Sequence, residues 1–331
     1  MNAEEALEAA AAEGIHRLRI PTPFAVGRVN CYLIEDEPLT LVDTGPNSGK
    51  ALDELQGQFA EHGHSIDDLE LVILTHQHID HLGLVEIIAR HSGAEVAALD
   101  QATRRLANFA EDAELDDEFS ARLMLRNGIP ENVVIALQGV SRSFRAWGSR
   151  ARVTRPLRDG EVLAFRDRRL EVMHRPGHSP SDTVFWDADR GILIAADHLL
   201  PTISSNPLIS RPLDGSDEPT QALVSYIDSL RKTRELPARI VLPGHGDPIT
   251  DHVALIDERL EKTERRKEKI LGLVRERPKT GHEIAHELWG NVAVTQAFLT
   301  LSEVIGHLDL LLNDGLVEEM QDGDVVRYVA A

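Results

Sequence analysis

Four apolar runs in this 331-residue chain each lead into a residue able to bind a metal ion, and that shared placement constrains the fold more than any other feature. The first run, "LELVILTH", ends at His76 and opens into "HQHIDH", which places His76, His78, Asp80 and His81 within six positions. The second, "RLEVMH", continues through "RPGH" to His178. The third, "GILIAAD", ends at Asp197, and the fourth, "RIVLPGH", ends at His245. Each run is short, apolar and rich in branched side chains, so each reads as a buried strand. Strand ends on one edge of a layered fold can converge on a single crevice, a rule stated for open parallel sheets that serves here as a guide. Imidazole and carboxylate suit Zn2+, and also Fe or Mn, whereas purely structural zinc sites draw on cysteine. A carboxylate between two cations can bridge them. Two metals roughly 3.5–4 Å apart can hold a hydroxide, polarise a carbonyl or phosphoryl oxygen and stabilise a leaving group. Any one of these histidines alone reads as an ordinary core or surface residue; the set at successive strand ends does not.

The other segments imply a layered α/β protein. "VNCYLIE" and "LTLVDTGPN" read as strands, with a turn at Gly45, Pro46 and Asn47. A helix is expected from about Ser48 to His62. "HLGLVEIIARHSG" has helical spacing and a C-cap at Gly93. Residues 100–151 are rich in Ala, Leu, Arg and acidic residues and read as a helical insertion. "TVFWD" is a further strand, and an amphipathic helix runs from about Thr220 to Arg234. After Asp251 come a long charged helix, "ALIDERLEKTERRKEKILGLVRERP", then helices at "TGHEIAHELWG" and "AFLTLSEVIGHLDLLLNDGLVEEM", and a Gly-centred turn into "VVRYVA". Three helices and a hairpin form the winged-helix pattern. The expected division is residues 1–14 as a frayed tail or short Ala/Glu helix stopped by Gly14, 15–251 as the catalytic domain, and 252–331 as a small winged-helix-like domain.

Composition narrows the function. Hydrophobic residues at 42% and charged residues at 27% fit a globular protein in water. A formal net charge of −20 disfavours broad contact with nucleic-acid phosphates. Cys31 is the only cysteine, so no intrachain disulfide can form, and its apolar neighbours make it a buried thiol. The N-terminus has neither the basic start nor the apolar core of a secretory signal, and no run approaches the length of a membrane span. These features predict a cytoplasmic protein with no membrane contact.

"THQHIDH", "PGHSPSD", "AAD" and "LPGHG", with the upstream "LVDTG", resemble the metallo-β-lactamase superfamily in order and approximate spacing over about residues 15 to 250. The resemblance implies an αββα sandwich with a dinuclear site at one edge. It implies that His76, His78 and His178 bind one metal, that Asp80, His81 and His245 bind a second, and that Asp197 bridges them. Asp43 of "LVDTG" would orient a ligand from behind. A metal-bridging hydroxide would be the nucleophile, with Asp80 orienting it or handling its proton. Two divalent ions are implied, Zn2+ by default, with Fe or Mn accepted by the same donors. The C-terminal part resembles the winged-helix domain appended to some members, in the lactamase-beta-like 2 layout.

The expected activity is therefore metal-dependent hydrolysis of an ester, thioester or lactone in a small-molecule substrate. The insertion and the loop "LLPTISSNPLISRPLDG" would shape a pocket. Leu106, Phe109, Phe119, Leu123 and Met124 would form either its apolar wall or ordinary helix packing. Arg104, Arg105 and Arg122 would meet an anionic group or stay solvated. One alternative is cleavage of single-stranded RNA at the same dinuclear site, for which "KTERRKEK" offers a local basic patch. Against it, "HLDLLLNDGLVEEMQDGD" is acidic where a winged helix would meet phosphate. Another is hydrolysis of a different activated bond, such as an aryl ether. A third is a metal-binding scaffold without catalysis, against which the full ligand set speaks. The C-terminal domain would close the pocket or support a homodimer. His174, His198, His252, His282, His286 and His307 have no place in the ligand set.

Overall fold

The strands resolve into two mixed sheets in the computed structural model, which describes residues 1–216, 218–292 and 296–331. Helix α1 (Ala3–Ala12) opens the chain, with Asn2 and Glu5 closing a reciprocal capping box. Its Ala6 and Ala10 are buried in the central core, which makes this segment a packed element.

The first sheet has the spatial order β1 (Ile15–Ile20), β2 (Val29–Ile34), β3 (Thr40–Val42), β4 (Leu71–Ile73), β5 (Glu95–Leu99) and β6 (Arg155–Leu157). β1, β2 and β3 pair antiparallel, and β3 to β6 pair parallel. The second sheet runs β7 (Val162–Ala164), β8 (Arg169–His174), β9 (Thr183–Asp187), β10 (Ile192–Ala196) and β11 (Ile240–Pro243), antiparallel except for β10 and β11. The inner faces meet through Tyr32, Val42 and Ile73 on one side and Val172, Phe185, Ile194 and Leu242 on the other. Each such buried side chain contributes about 1.5–3 kcal/mol relative to exposure.

Helix α2 (Gly49–Glu61), the single turn α3 (Ile79–Leu82) and α4 (Val85–Ser92) lie on the outer face of the first sheet. Leu55, Phe59, Val85 and Ile88 pack there against Leu33, Leu41 and Val72. The expected continuous helix over "HLGLVEIIARHSG" is broken between α3 and α4. A Cβ on Gly83 would lie 2.2 Å from the Asn47 nitrogen and 2.4 Å from the Trp147 carbonyl oxygen, so only glycine fits at the break. Between β5 and β6 the insertion forms α5 (Thr103–Ala107), α6 (Phe109–Arg126) and α7 (Glu131–Phe144). Asp112 and Asp116 tie it to Arg211 of the loop after β10.

α8 (Ala222–Arg234) and the first half of α9 (His252–Glu276) cover the second sheet, with Leu223, Tyr226, Leu230 and Ile256 on Leu193 and Val241. The order is thus helices, sheet, sheet, helices. Beyond it, α10 (Gly281–Trp289), α11 (Ala297–Asn313) and the antiparallel pair β12 (Val317–Asp322) and β13 (Val325–Ala330) enclose a separate cluster. That cluster holds Ile270, Ile284, Val304, Leu308, Val317 and Tyr328. α11 is apolar on several faces, and the reason is its double duty. Its Leu301 and Ile305 also pack with Phe119 and Leu123 of α6. Among the described residues, no helix is long and apolar enough to cross a membrane.

Candidate metal centre

β3, β4, β8, β10 and β11 all deliver their carboxyl ends to one edge of the sandwich, as the parallel pairings require. Asp43 follows β3, His76 follows β4, His178 follows β8, Asp197 follows β10 and His245 follows β11. Two of these turns hold non-glycine residues at positive φ: Asp43 at 59° and Ala196 at 45°. Such backbone costs of order 1–3 kcal/mol and persists where the surroundings over-determine it, commonly at a functional site. Here it aims Asp43 and the next residue, Asp197, into the crevice.

Three imidazole nitrogens converge on one side. His78 Nδ1 lies 3.1 Å from His76 Nε2 and 2.8 Å from His178 Nε2. On the other side His245 Nε2 stands 3.3 Å from Asp80 Oδ2. Asp197 sits between the two groups, 3.5 Å from His81 Nε2 through one oxygen and 3.6 Å from both His178 Nε2 and His245 Nε2 through the other.

The ring tautomers follow from what lies behind each histidine. Thr75 donates its N–H to Asp43 Oδ1 (2.9 Å) and its hydroxyl to Asp43 Oδ2 (2.8 Å). Its hydroxyl oxygen is then free to accept the Nδ1 proton of His76 at 3.0 Å. His81 donates from Nδ1 to Asp43 Oδ2 at 2.7 Å. His245 donates from Nδ1 to the Arg28 carbonyl at 2.9 Å, and His178 does so to the Ser205 carbonyl. With the Nδ1 proton committed, each of these four rings turns its Nε2 into the crevice, where a cation can take the place of a proton. His78 presents Nδ1 instead, and one proton there cannot satisfy both neighbouring lone pairs.

The electrostatics call for cations. Asp43, Asp80 and Asp197 are all buried, and among the described residues their only ion-pair partners are histidines. Burial pushes His76 well below its ordinary pKa, and the neighbouring His81 and His78 add to this. Burial and His178 push His78 down to about 3. Burial opposes charge on His81 too, yet Asp197, Asp43 and Asp80 outweigh it and hold that ring well above its ordinary value. Burial would raise Asp197, but His81 and His245 hold it well below the usual carboxylate range. His81 Nε2, His245 Nε2 and Asp197 Oδ1 are buried without a hydrogen-bond partner. Buried acceptors and carboxylates in this state are costly unless a cation completes them, so the donor set fits divalent metal ions. His76, His78 and His178 could hold one; so could His76, His81 and Asp197, or Asp80, His81 and His245. Gly244 is part of the fit, because a Cβ there would lie 2.1 Å from Asp197 Oδ1.

A cavity of about 720 Å³ opens from these residues beneath the insertion. Phe109, Phe119, Met124, Leu137 and Ile209 line it, joined by Phe24 from the β1–β2 loop and Phe298 from α11. Its rim carries five apolar side chains that are exposed, Val26, Val140, Phe144, Ile203 and Leu299. Leu106 and Leu123, for which the sequence leaves wall and helix packing both open, are buried in helix packing, because their faces of α5 and α6 turn inward. Arg105 reaches the cavity, but it is ion-paired with Asp116 and donates to the Arg211 carbonyl at 3.0 Å. Arg104 and Arg122 are not among its lining residues.

His198 turns away from the crevice and shares a 2.8 Å hydrogen bond with Thr233. His174, His252 and His307 engage the carbonyls of Pro180, Leu236 and Glu303. His282 and His286 lie on α10, and no third ligating residue groups with them among the described residues. Sequence reasoning missed the Thr75 relay and the two backbone carbonyls. It also missed the Gln77 clamp, in which Ser179 donates to Gln77 Oε1 at 2.7 Å and pins the His178 loop to the His78 loop. The Ser-rich "HSPSD" turn was the available signal.

Two facing mixed sheets with clustered imidazoles and carboxylates at one edge define a class of metal-site proteins. The sequence profile described as the metallo-beta-lactamase superfamily matches residues 25–245, and the chain belongs to that superfamily. It is similar to the probable metallo-hydrolase YqjP of Bacillus subtilis, 33% identical over 96% of this chain and 98% of that one. It is also similar to the human acyl-coenzyme A thioesterase MBLAC2, 29% identical over 53% of this chain and 55% of that one. Among solved structures it is similar to the metallo-beta-lactamase family protein TTHA1429 of Thermus thermophilus, with a TM-score of 0.79, 28% identity, and coverage of 96% of this chain and 99% of that one.

Proposed function

We propose that this chain, a metal-dependent hydrolase of the metallo-beta-lactamase superfamily, cleaves thioesters or esters that carry an apolar acyl group. The observation that carries this reading is the cavity: its wall and rim are mostly apolar, with a few polar side chains such as Arg105, Gln138 and Ser141 among them, and its floor is His78, Asp80, His178, Asp197 and His245. Such a shape suits a chain-like apolar group whose reactive end must reach the floor. The likeness to an acyl-coenzyme A thioesterase and to a probable metallo-hydrolase supports the same chemistry.

In this reading His76, His78 and His178 hold one divalent ion, Asp80, His81 and His245 hold a second, and Asp197 serves both. Zn2+ suits the nitrogen and oxygen donors best, and iron or manganese fits the same set. When bound, such ions lower the pKa of water and polarise a carbonyl oxygen. The chain's own residues do the rest. Asp43 and Thr75 fix the rings of His81 and His76. The carbonyls of Arg28 and Ser205 fix His245 and His178. Asp80 orients the attacking water and takes its proton on a carboxylate oxygen. The insertion and the residue 198–211 loop hold the acyl group and keep bulk water out.

Residues 15–251 form the catalytic domain in this reading, and residues 252–331 act as a winged-helix-like module that completes the pocket through Phe298 and Leu299 of α11. A nucleic-acid role for that module is not favoured, because four of the five cations of "KTERRKEK" are paired. Lys262 pairs with Glu258, Arg265 with Glu261 at 2.7 Å, Lys267 with Glu264 at 2.7 Å, and Arg266 with Glu303 at 3.6 Å. A metal-replete preparation offered esters, thioesters and lactones beside labelled single-stranded RNA is expected to turn over acyl substrates and leave the RNA intact. RNA cleavage without acyl turnover would reverse the assignment.

A further inference from the structure

A second cluster of metal-type donors lies at the other end of the first sheet. His16 on β1 shares a 2.8 Å hydrogen bond between its Nε2 and Glu35 Oε2, just past β2. His62 caps the C-terminus of α2, and its ring stands 4.2 Å from that of His16, centroid to centroid. One donor atom each from His16, Glu35 and His62 falls within 4.8 Å of the others. His64 closes the group, with its Nε2 3.3 Å from the other carboxylate oxygen, Oε1 of Glu35. Three imidazoles around one carboxylate is a donor set for a late first-row divalent ion, and the partial exposure of all four leaves an entry path.

We propose that His16, Glu35, His62 and His64 form a surface site for Zn2+ or a similar divalent cation, separate from the crevice. The separation follows from register. Ile15 pairs with Ile34 at the cluster's end of the β1–β2 ribbon, and Ile20 pairs with Val29 at the other. Val29 in turn bridges to His245. A six-residue strand therefore stands between the two sites, roughly 20 Å. The protonation states agree with a cation site. Burial and the neighbouring His16 keep His62 below its ordinary pKa, so the ring is neutral and can donate a lone pair. Burial would raise Glu35, but its hydrogen bond to His16 and the nearby rings outweigh this and keep it ionised. An ion here would tie β1, the end of β2 and the C-terminus of α2 together. It is a structural staple at the sheet edge and takes no part in turnover.

The test compares the wild type with the double variant His16→Gln/His62→Gln, both dialysed against the same free Zn2+ at neutral pH. The wild type is expected to retain one zinc equivalent more than the variant, with the same kcat/KM for both. Loss of direct ligands should weaken the site beyond the roughly 10–100-fold that loss of a ligand's supporting hydrogen bond costs. Zn2+ should raise the Tm of the wild type more than that of the variant. Equal zinc content in the two proteins would overturn the proposal. If the variant does not fold, anomalous scattering at the zinc edge from wild-type crystals decides: a peak beside Glu35 supports the site, and its absence overturns it.

Discussion

Asp197→Asn is expected to strip metal from both donor groups and to lower kcat/KM by about 10³-fold or more, a loss comparable with or larger than removal of one transition-state donor. The substitution keeps the shape of the side chain and removes its charge. That charge faces His178 of one group and His81 and His245 of the other at 3.5 to 3.6 Å, so it touches both groups. The amide would also present N–H bonds where a cation needs an oxygen lone pair. Stability should fall as well in the absence of metal. His81 and His245 hold Asp197 well below the usual carboxylate range, so its charge is stabilised in the folded protein, and its removal leaves those buried rings without their carboxylate partner. The variant should therefore melt lower than metal-free wild type at neutral pH. Metal content per chain, kcat/KM and Tm measured on the two proteins check all three statements. Full metal content with full turnover in the variant would contradict the shared role of Asp197.

Gly244→Ala is the second large effect, and it needs no change of charge. The new Cβ would meet Asp197 Oδ1 at 2.1 Å and His81 Cε1 at 2.9 Å. Neither can retreat easily. His81 is held from behind by Asp43, and the Asn30 N–H donates to the Gly244 carbonyl at 2.7 Å, which fixes the turn itself. Overpacking of this kind costs about 1–3 kcal/mol in stability. The catalytic loss should be larger, since a displacement of about 1 Å can cost about 10²-fold in rate. A folded variant with kcat/KM reduced by about 10²-fold and a moderate fall in Tm is the expected outcome. Unchanged kcat/KM would show that the close approach of β11 to Asp197 is incidental.

The convergence of His76, His178, Asp197 and His245 was legible in sequence because each follows a short apolar run, and strand polarity carries such residues to one edge; His78, Asp80 and His81 come with His76 in "HQHIDH". Asp43 was legible as a supporting residue, though its left-handed backbone was not. What stands behind the other rings was invisible: the Arg28 and Ser205 carbonyls belong to the backbone, and any residue type would supply them. β1 was missed because the apolar residues of "IHRLRI", Ile15, Leu18 and Ile20, keep no period of two, and β6 and β7 are only three residues long, too short to show a period. The helical insertion was visible in composition, but the face it turns to the cavity was not. Leu106 and Phe109 are three residues apart, and only Phe109 reaches the cavity. Gaps of 19 and 27 residues separate His16, Glu35 and His62, so no local spacing could announce their meeting.

The chain-length dependence of kcat/KM for a series of linear acyl thioesters tests the central claim most directly. If the cavity beneath α6 and α7 holds the acyl group, each added methylene buries about 0.8 kcal/mol of apolar surface, so kcat/KM should rise about fourfold per methylene until the cavity is full. The rise should flatten in Phe119→Ala, which removes part of the wall. Equal kcat/KM for acetyl and long-chain thioesters, or a fall with length, would contradict the assignment of the cavity to an apolar acyl group.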